Sequence, residues 1–243
     1  MTGALPAPPP PQRIPRPPSA RPGPAAPWAL VPRDGRTGLV LDRVRAALTT
    51  TPVEPPGGAP PPALAGAPRP SAVLAPLFEE TGETRVLLTR RASTLRNHQS
   101  EVSFPGGRVD GGETLAEAAL REAWEEVGIE PATVTLVGRL SPLMTFSSGA
   151  LITPFVGVLP GRPPLRVNAA EVERAFDVAL ADLLAPGVYH AERWEIGGAA
   201  RNLHFFDLPG DIVWGATGRM LWELLARVTG TVTELGPEDG PLP

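Results

Sequence analysis

Three carboxylates stand at positions i, i+3 and i+4 of one short stretch: Glu122, Glu125 and Glu126. In a helix that spacing projects all three from one side, within reach of one another. The apolar residues Ala116, Ala119, Leu120, Ala123 and Val127 define the buried face of such a helix. Glu126 then lies only about 60° from the centre of that face, and Glu122 about 100°. A purely solvated acidic face would centre opposite the core, near Arg121 and Glu125. Carboxylates clustered at a core margin repel one another and lose hydration. Either protonation or a divalent cation offsets that cost. A hard cation such as magnesium accepts several carboxylate oxygens and keeps waters for a phosphate-bearing substrate. For the helix taken alone, the plain alternative is an exposed Glu-rich surface, since Glu is a good helix former.

The preceding loop shifts the balance. Phe104-Pro-Gly-Gly-Arg-Val-Asp-Gly-Gly-Glu113 is glycine-rich, so its backbone can turn sharply and approach a ligand closely. It delivers Glu113 to the start of the helix. Gly107, five residues, Glu113, seven residues, then Arg121-Glu122-Ala123-Trp124-Glu125-Glu126-Val127-Gly128-Ile129 resembles the Nudix box, G-x5-E-x7-R-E-U-x-E-E-x-G-U, where U is aliphatic. Every fixed position matches, with the small Ala123 in an aliphatic slot. The resemblance implies that Glu122, Glu125 and Glu126 hold Mg2+ or Mn2+, with the Gly107 carbonyl as a further ligand. It implies that Arg121 orients the carboxylates, paired with Glu113, while Gly128 ends the helix. The reaction implied is attack of a metal-activated water on a phosphorus of a diphosphate. Glu122 is the first choice of general base. Glu171, in Asn168-Ala-Ala-Glu-Val-Glu173, is the second and is expected on an exposed surface loop.

A second resemblance concerns the substrate. Leu87-Leu-Thr-Arg-Arg-Ala-Ser-Thr-Leu-Arg-Asn-His-Gln-Ser-Glu-Val-Ser-Phe-Pro-Gly-Gly107 resembles the signature of the coenzyme A diphosphatase branch, L-L-T-x-R-[SA]-x3-R-x3-G-x3-F-P-G-G. Ser100 stands where that pattern has glycine, which there could permit a positive φ or a close backbone approach. Coenzyme A carries a 3′-phosphate beside its diphosphate, so its pocket needs cations beyond the metals. The expected substrate contacts are Arg91, Arg96 and His98, with Gly106 and Gly107 of the loop; arginine is suited to bidentate phosphate binding. The implied products are 3′,5′-ADP and 4′-phosphopantetheine.

The elements that must position these groups are legible in outline. Ser71–Phe78 and Thr84–Arg90 read as strands, Thr114–Val127 as a helix ending at Gly128, and 134–140, 151–159, 188–196 and 203–208 as further strands. A last helix runs over Thr217–Val228. There Trp214 is expected in the core and Thr217 as the helix cap. Strands and helices so mixed predict an α/β domain; the resemblance implies the Nudix fold, a mixed β-sheet sandwiched between α-helices. It spans residues 71–230, with 231–243 as a flexible tail. Twenty of the 33 prolines precede Ser71, so residues 1–70 are expected to be largely disordered, with a short helix near 38–48. Removing them is expected to leave function intact.

Composition narrows the classes. The net charge of −4 argues against a nucleic-acid partner, and with no cysteine neither disulfides nor thiolate metal sites can form. No apolar run approaches the roughly 20 residues that span a bilayer. The start lacks a secretory layout, and its prolines forbid a transit-peptide helix. The expectation is a cytoplasmic enzyme acting on a small molecule, with a homodimer left open. A non-catalytic regulator on this fold would generally lack box glutamates; all are present.

Overall fold

A computed structural model describes residues 12, 14–48, 69–95, 99–145 and 149–231. In chain order its strands and helices are β1 (Arg21–Pro22), α1 (Arg33–Arg36), α2 (Leu41–Leu48), β2 (Pro70–Glu80), β3 (Glu83–Arg91), β4 (Val102–Ser103), β5 (Gly106–Arg108) and α3 (Leu115–Val127). Then come β6 (Thr135–Arg139), β7 (Leu143–Met144), β8 (Leu151–Val158), β9 (Val172–Ala179), α4 (Leu180–Leu183), β10 (Tyr189–Ile196), β11 (Ala199–Leu208), β12 (Asp211–Val213) and α5 (Gly215–Val228).

β2 is the hub. Its residues are buried from Ser71 to Phe78, and it pairs antiparallel with β3 and β5 and parallel with β8. The larger sheet runs β4-β3-β2-β8-β6, with β9 added to β3 and β7 to β8. Alternation along β2 feeds two cores. Ala72, Leu74 and Phe78 face α3, beside Ala116, Ala119, Ala123 and Val127. Val73, Ala75 and Leu77 face the other way, toward α2 and α5. The result is a mixed sheet between helices. A second sheet, β1-β10-β11-β12, packs against α5.

Helix α3 is closed at both ends. Thr114 accepts a hydrogen bond from Glu117 N, the Glu117 side chain accepts from Thr114 N at 2.7 Å, and Gly128 ends the helix in the left-handed region at φ 76°. α5 begins earlier than expected, at Gly215. Thr217 is therefore inside the helix and makes no cap; the N-cap is Trp214, which has no side-chain cap bond. Trp214 is half-buried, stacked on Phe205 with ring centroids 6.3 Å apart, rather than deep in the core. The strand β9 was not expected: its polar residues mask the apolar Phe176 and Val178 that pack inward.

The short helix expected near 38–48 is present as α2, while the rest of the described N-terminal third departs from the expected disorder. Trp28, Leu39, Val44 and Leu48 are buried in the α2–α5 core. The Trp28 ring centroid lies 5.1 Å from that of Tyr189, β1 pairs with β10, and Gly23 N donates to Ala191 O at 2.7 Å. An added Cβ at Gly23 would meet Ala191 Cβ at 2.8 Å, so this close approach needs glycine. Proline-rich backbone has less freedom to lose on docking, so a few apolar anchors suffice to order it. The second proline cluster, apart from Pro70, and the tail from 232 onward lie outside the described residues.

Ser100 adopts φ 57° and is buried. The position therefore has the left-handed backbone that glycine takes freely, held here by a serine at a cost on the order of 1 kcal/mol. Ser100→Gly is expected to stabilise the protein by about 0.5 kcal/mol, since glycine's extra freedom when unfolded takes back roughly half of the strain released. Urea denaturation midpoints test this; a lower midpoint for the variant would contradict it.

Candidate active site

The geometry is built by β2, which holds the glycine loop against the start of α3. Gly106 and Gly107 pair with Val73 and Ala72, so the loop lies flat on the sheet edge as β5. A Cβ at Gly106 would meet Ala72 O and Val73 Cα at 2.5 Å, backbone that cannot yield. A Cβ at Gly107 would instead meet the Glu122 carboxylate, its Oε1 at 2.4 Å. The loop backbone and the first box carboxylate are thus in direct apposition.

Burial grades the three box glutamates in the order that helix geometry requires. Glu126 is 3% exposed, Glu122 is half-buried and Glu125 is exposed. Arg121 gathers the loop and the helix. Its Nε and Nη2 donate to Glu113 at 3.0 and 2.9 Å, its Nη2 to Arg108 O at 3.0 Å, and its Nη1 to Glu122 at 3.2 Å and Glu125 at 3.0 Å. That bidentate hydrogen bond from Arg121 holds the Glu113 carboxyl below its usual range, and Glu113 raises the Arg121 pKa in return. Burial pushes the Glu122 carboxyl up, against Arg121. Burial pushes Glu126 up to about 8, against the pull of Arg91 and a 3.4 Å hydrogen bond from Gly106 N.

Two charges approach from outside the box. Arg91, at the end of β3, places Nη1 3.9 Å from Glu126 Oε1, and its buried Nε has no hydrogen-bond partner among the described residues. Glu171 is exposed, and its charge raises the pKa of both Glu122 and Glu126. The loop that carries it docks on the end of α3: Arg166 N and Asn168 N donate to the Val127 and Glu126 carbonyls, both at 2.9 Å. Those carbonyls would otherwise be orphans of the helix end. Arg166 also lies over the exposed Trp124 ring, 4.8 Å from its centroid. Arg96 and His98 lie outside the described residues, so only Arg91 of the three expected basic contacts is located.

Six carboxylates, Asp110, Glu113, Glu122, Glu125, Glu126 and Glu171, thus face two guanidinium groups, Arg91 and Arg121. Oxygen donors in excess of local positive charge suit a hard divalent cation. Among the described residues no three acidic or histidine side chains are gathered about one point. Arg121 holds Glu122 and Glu125 to itself, while Glu126 turns to Gly106 and Arg91. A cavity of about 340 Å³ lined by Arg85, Arg174, Phe176, Asp207 and Asp211 contains none of the box residues.

Gly107→Ala is expected to lower any hydrolytic rate by about a hundredfold, because a displaced carboxylate of the order of 1 Å costs that much in a preorganised site. The Glu122 carboxylate is a mobile side-chain end, so the melting temperature should change little. A fully active, unshifted variant would show that the apposition of Gly107 and Glu122 is idle.

Comparison with known proteins identifies the family. The NUDIX domain family matches residues 68–196. The chain is 38% identical over 170 residues to "Uncharacterized Nudix hydrolase NudL" of Photorhabdus laumondii, covering 70% of this chain and 90% of that protein. It is 38% identical over 161 residues to the protein of the same name from Cronobacter sakazakii, covering 66% of this chain and 83% of that one. A MutT/nudix family protein from Enterococcus faecalis has the same fold, with a TM-score of 0.50 at 16% identity, over 71% of this chain and 66% of that one. With a matched domain over more than half of its length and relatives of this similarity, the chain belongs to the Nudix hydrolase family.

Proposed function

We propose that this protein hydrolyses the diphosphate of coenzyme A or its derivatives, with magnesium or manganese, to 3′,5′-ADP and 4′-phosphopantetheine. The observation that carries the reading is the position of Arg91. It is the arginine of the Leu87-Leu-Thr-Arg-Arg91 signature, and its Nη1 stands 3.9 Å from the Glu126 carboxylate. The signature and the box therefore supply one site, in which a guanidinium sits beside the acids and can take a phosphate oxygen pair.

In this reading Glu122, Glu125 and Glu126 hold the cation, with the Gly107 carbonyl as a further ligand. A bound divalent cation supplies charge neutralisation at the diphosphate oxygens and makes a coordinated water more acidic. Glu122 accepts the proton of the attacking water; its burial-raised pKa makes it a stronger base than an exposed carboxylate. Glu171 is the second candidate for that proton, given its electrostatic reach to Glu122 and Glu126. The water oxygen joins phosphorus, the anhydride P–O bond breaks, and both products leave as phosphate monoesters. Arg121 keeps Glu122 and Glu125 aligned through its anchor on Glu113. Arg91, with Arg96 and His98 as the signature implies, receives the 3′-phosphate or the diphosphate. The setting proposed is the cytoplasm; no helix of the described residues is long and apolar enough to cross a membrane.

The test compares coenzyme A with its form lacking the 3′-phosphate, alongside ADP-ribose, NADH and nucleoside triphosphates, with magnesium and then manganese. Coenzyme A is expected to be preferred by at least about tenfold in kcat/KM, the worth of one charge-assisted contact. Equal rates with and without the 3′-phosphate would remove the role given to the arginines. A preference for ADP-ribose or NADH would move the protein to another Nudix specificity.

A further inference from the structure

We propose that Asp211 is a positioning residue: with Arg90 it locks a β-bulge that delivers Arg91 to Glu126. Residues 90 and 91 are neighbours on β3, so their side chains leave opposite faces of the sheet. Arg91 reaches the box side. Arg90 falls on the parity of Val86 and Leu88, which point into the α5 core, yet it is a charge with a fully buried side chain. Its Nη1 lies 2.6 Å from Asp211 Oδ1, and Asp211 also pairs with Arg174. Asp211 is itself 4% exposed.

The ladder between β3 and β9 runs regularly from Arg85↔Ala179 to Arg90↔Arg174, and then Arg91 pairs with Val172. Glu173 is the extra residue. Two residues of β9, Glu173 and Arg174, thus oppose Arg90, and both take part in its cluster: Arg90 Nε lies 3.4 Å from Glu173 Oε2, and Arg174 grips Asp211. A bulge bends the strand that carries it, here β9, and increases the local twist of the strand pair, which re-aims the side chains beside it. The partner strand β3 ends at the slip, at Arg91, and the chain beyond is held by Ala92 N donating to Glu171 O at 2.8 Å. One slip thereby fixes Arg91 and the backbone of Glu171 relative to each other. A buried ion cluster is an expensive way to gain stability, since an apolar pair of similar volume commonly serves as well. What it provides is a unique register. The pair sits on the sheet face away from the box and reaches the site along β3 to Arg91 and along β9 to the Glu171 backbone; its effect on activity is carried by the first route.

This inference rests on the reading of Arg91 as a substrate contact, and its test separates the two. Arg90→Met with Asp211→Leu replaces the pair by apolar groups of similar size in the full-length protein. A melting temperature within a few degrees of wild type is expected. Activity toward coenzyme A should fall about tenfold or more in kcat/KM, mainly through KM. In a chain already carrying Arg91→Met, the same two substitutions should change kcat/KM less than about twofold, because their route of action is gone. A full tenfold loss in the Arg91→Met chain would overturn the proposal, as would an unchanged rate in the chain that keeps Arg91. Should the double variant not fold, Glu173→Gln removes the partly exposed partner of the bulge and takes the same cycle. A crystal structure of whichever variant folds reads the claim without any assay: the register slip is expected to be lost and Arg91 to leave Glu126. A retained slip with Arg91 in place would refute it even if coenzyme A proved not to be the substrate.

Discussion

Glu126→Gln is expected to lower divalent-cation-dependent hydrolysis by roughly a thousandfold, about 4 kcal/mol of transition-state stabilisation, while stabilising the metal-free protein at alkaline pH. Both effects come from one placement. Glu126 is 3% exposed at the margin of the α3 core, and burial raises its pKa to about 8. A carboxyl whose folded pKa exceeds its unfolded value favours the folded state when protonated. Its stabilising contribution is whole below about pH 4.5 and is lost as the pH rises through about 8. At about 1.4 kcal/mol per pKa unit the loss amounts to a few kcal/mol. Glutamine keeps the shape without the charge, so the variant should not lose that increment. Melting temperatures of the chelator-treated proteins between pH 5 and pH 9 would therefore diverge, with the variant the more stable at the alkaline end. Adding magnesium or manganese should recover the wild type and not the variant. Parallel pH profiles, or full hydrolysis by the variant, would remove Glu126 from the metal site.

A chain beginning at Ser71 is expected to lose its cooperative fold. This reverses the expectation from composition, which treated everything before that residue as dispensable. Trp28, Leu39, Val44 and Leu48 are each 2% exposed or less. Cutting back one large apolar core side chain typically costs about 2–5 kcal/mol. Four together, about 8–20 kcal/mol, are comparable with or larger than the roughly 5–15 kcal/mol by which most domains are stable. Their removal would also bare Tyr189, Phe206 and the inner face of α5 to water. Near-ultraviolet circular dichroism during a thermal melt should show no sharp transition for the shortened chain. A transition within a few degrees of the full-length value would mean that the segment is an ornament on an autonomous domain.

What could be read before folding and what could not divide along a physical line. The spacing of Glu122, Glu125 and Glu126 against Ala116, Ala119, Ala123 and Val127 already ordered the carboxylates by burial, because helix periodicity is a local property of the chain. The glycine loop was legible for the same reason: Gly106 and Gly107 announce close approach, and Gly128 a left-handed stop. Even Ser100 declared its position, since the usual glycine pointed to the positive φ that the serine adopts. Local signals failed wherever a partner distant in sequence decided the outcome. Composition marked residues 1–70 as largely disordered apart from a short helix near 38–48, yet the described residues before that helix are ordered by contacts with Tyr189, Phe206 and α5, and no window within the segment contains those partners. The strand Val172–Ala179 hid behind its charges until β3 paired with it and gave them somewhere to go. Arg90 fell on the unspecified position of the signature, where nothing local marked it. Only the assembled sheet, by turning Arg90 to Asp211 on one face and Arg91 to Glu126 on the other, told the two arginines apart, because the side of a strand that meets the core is set by what packs on it.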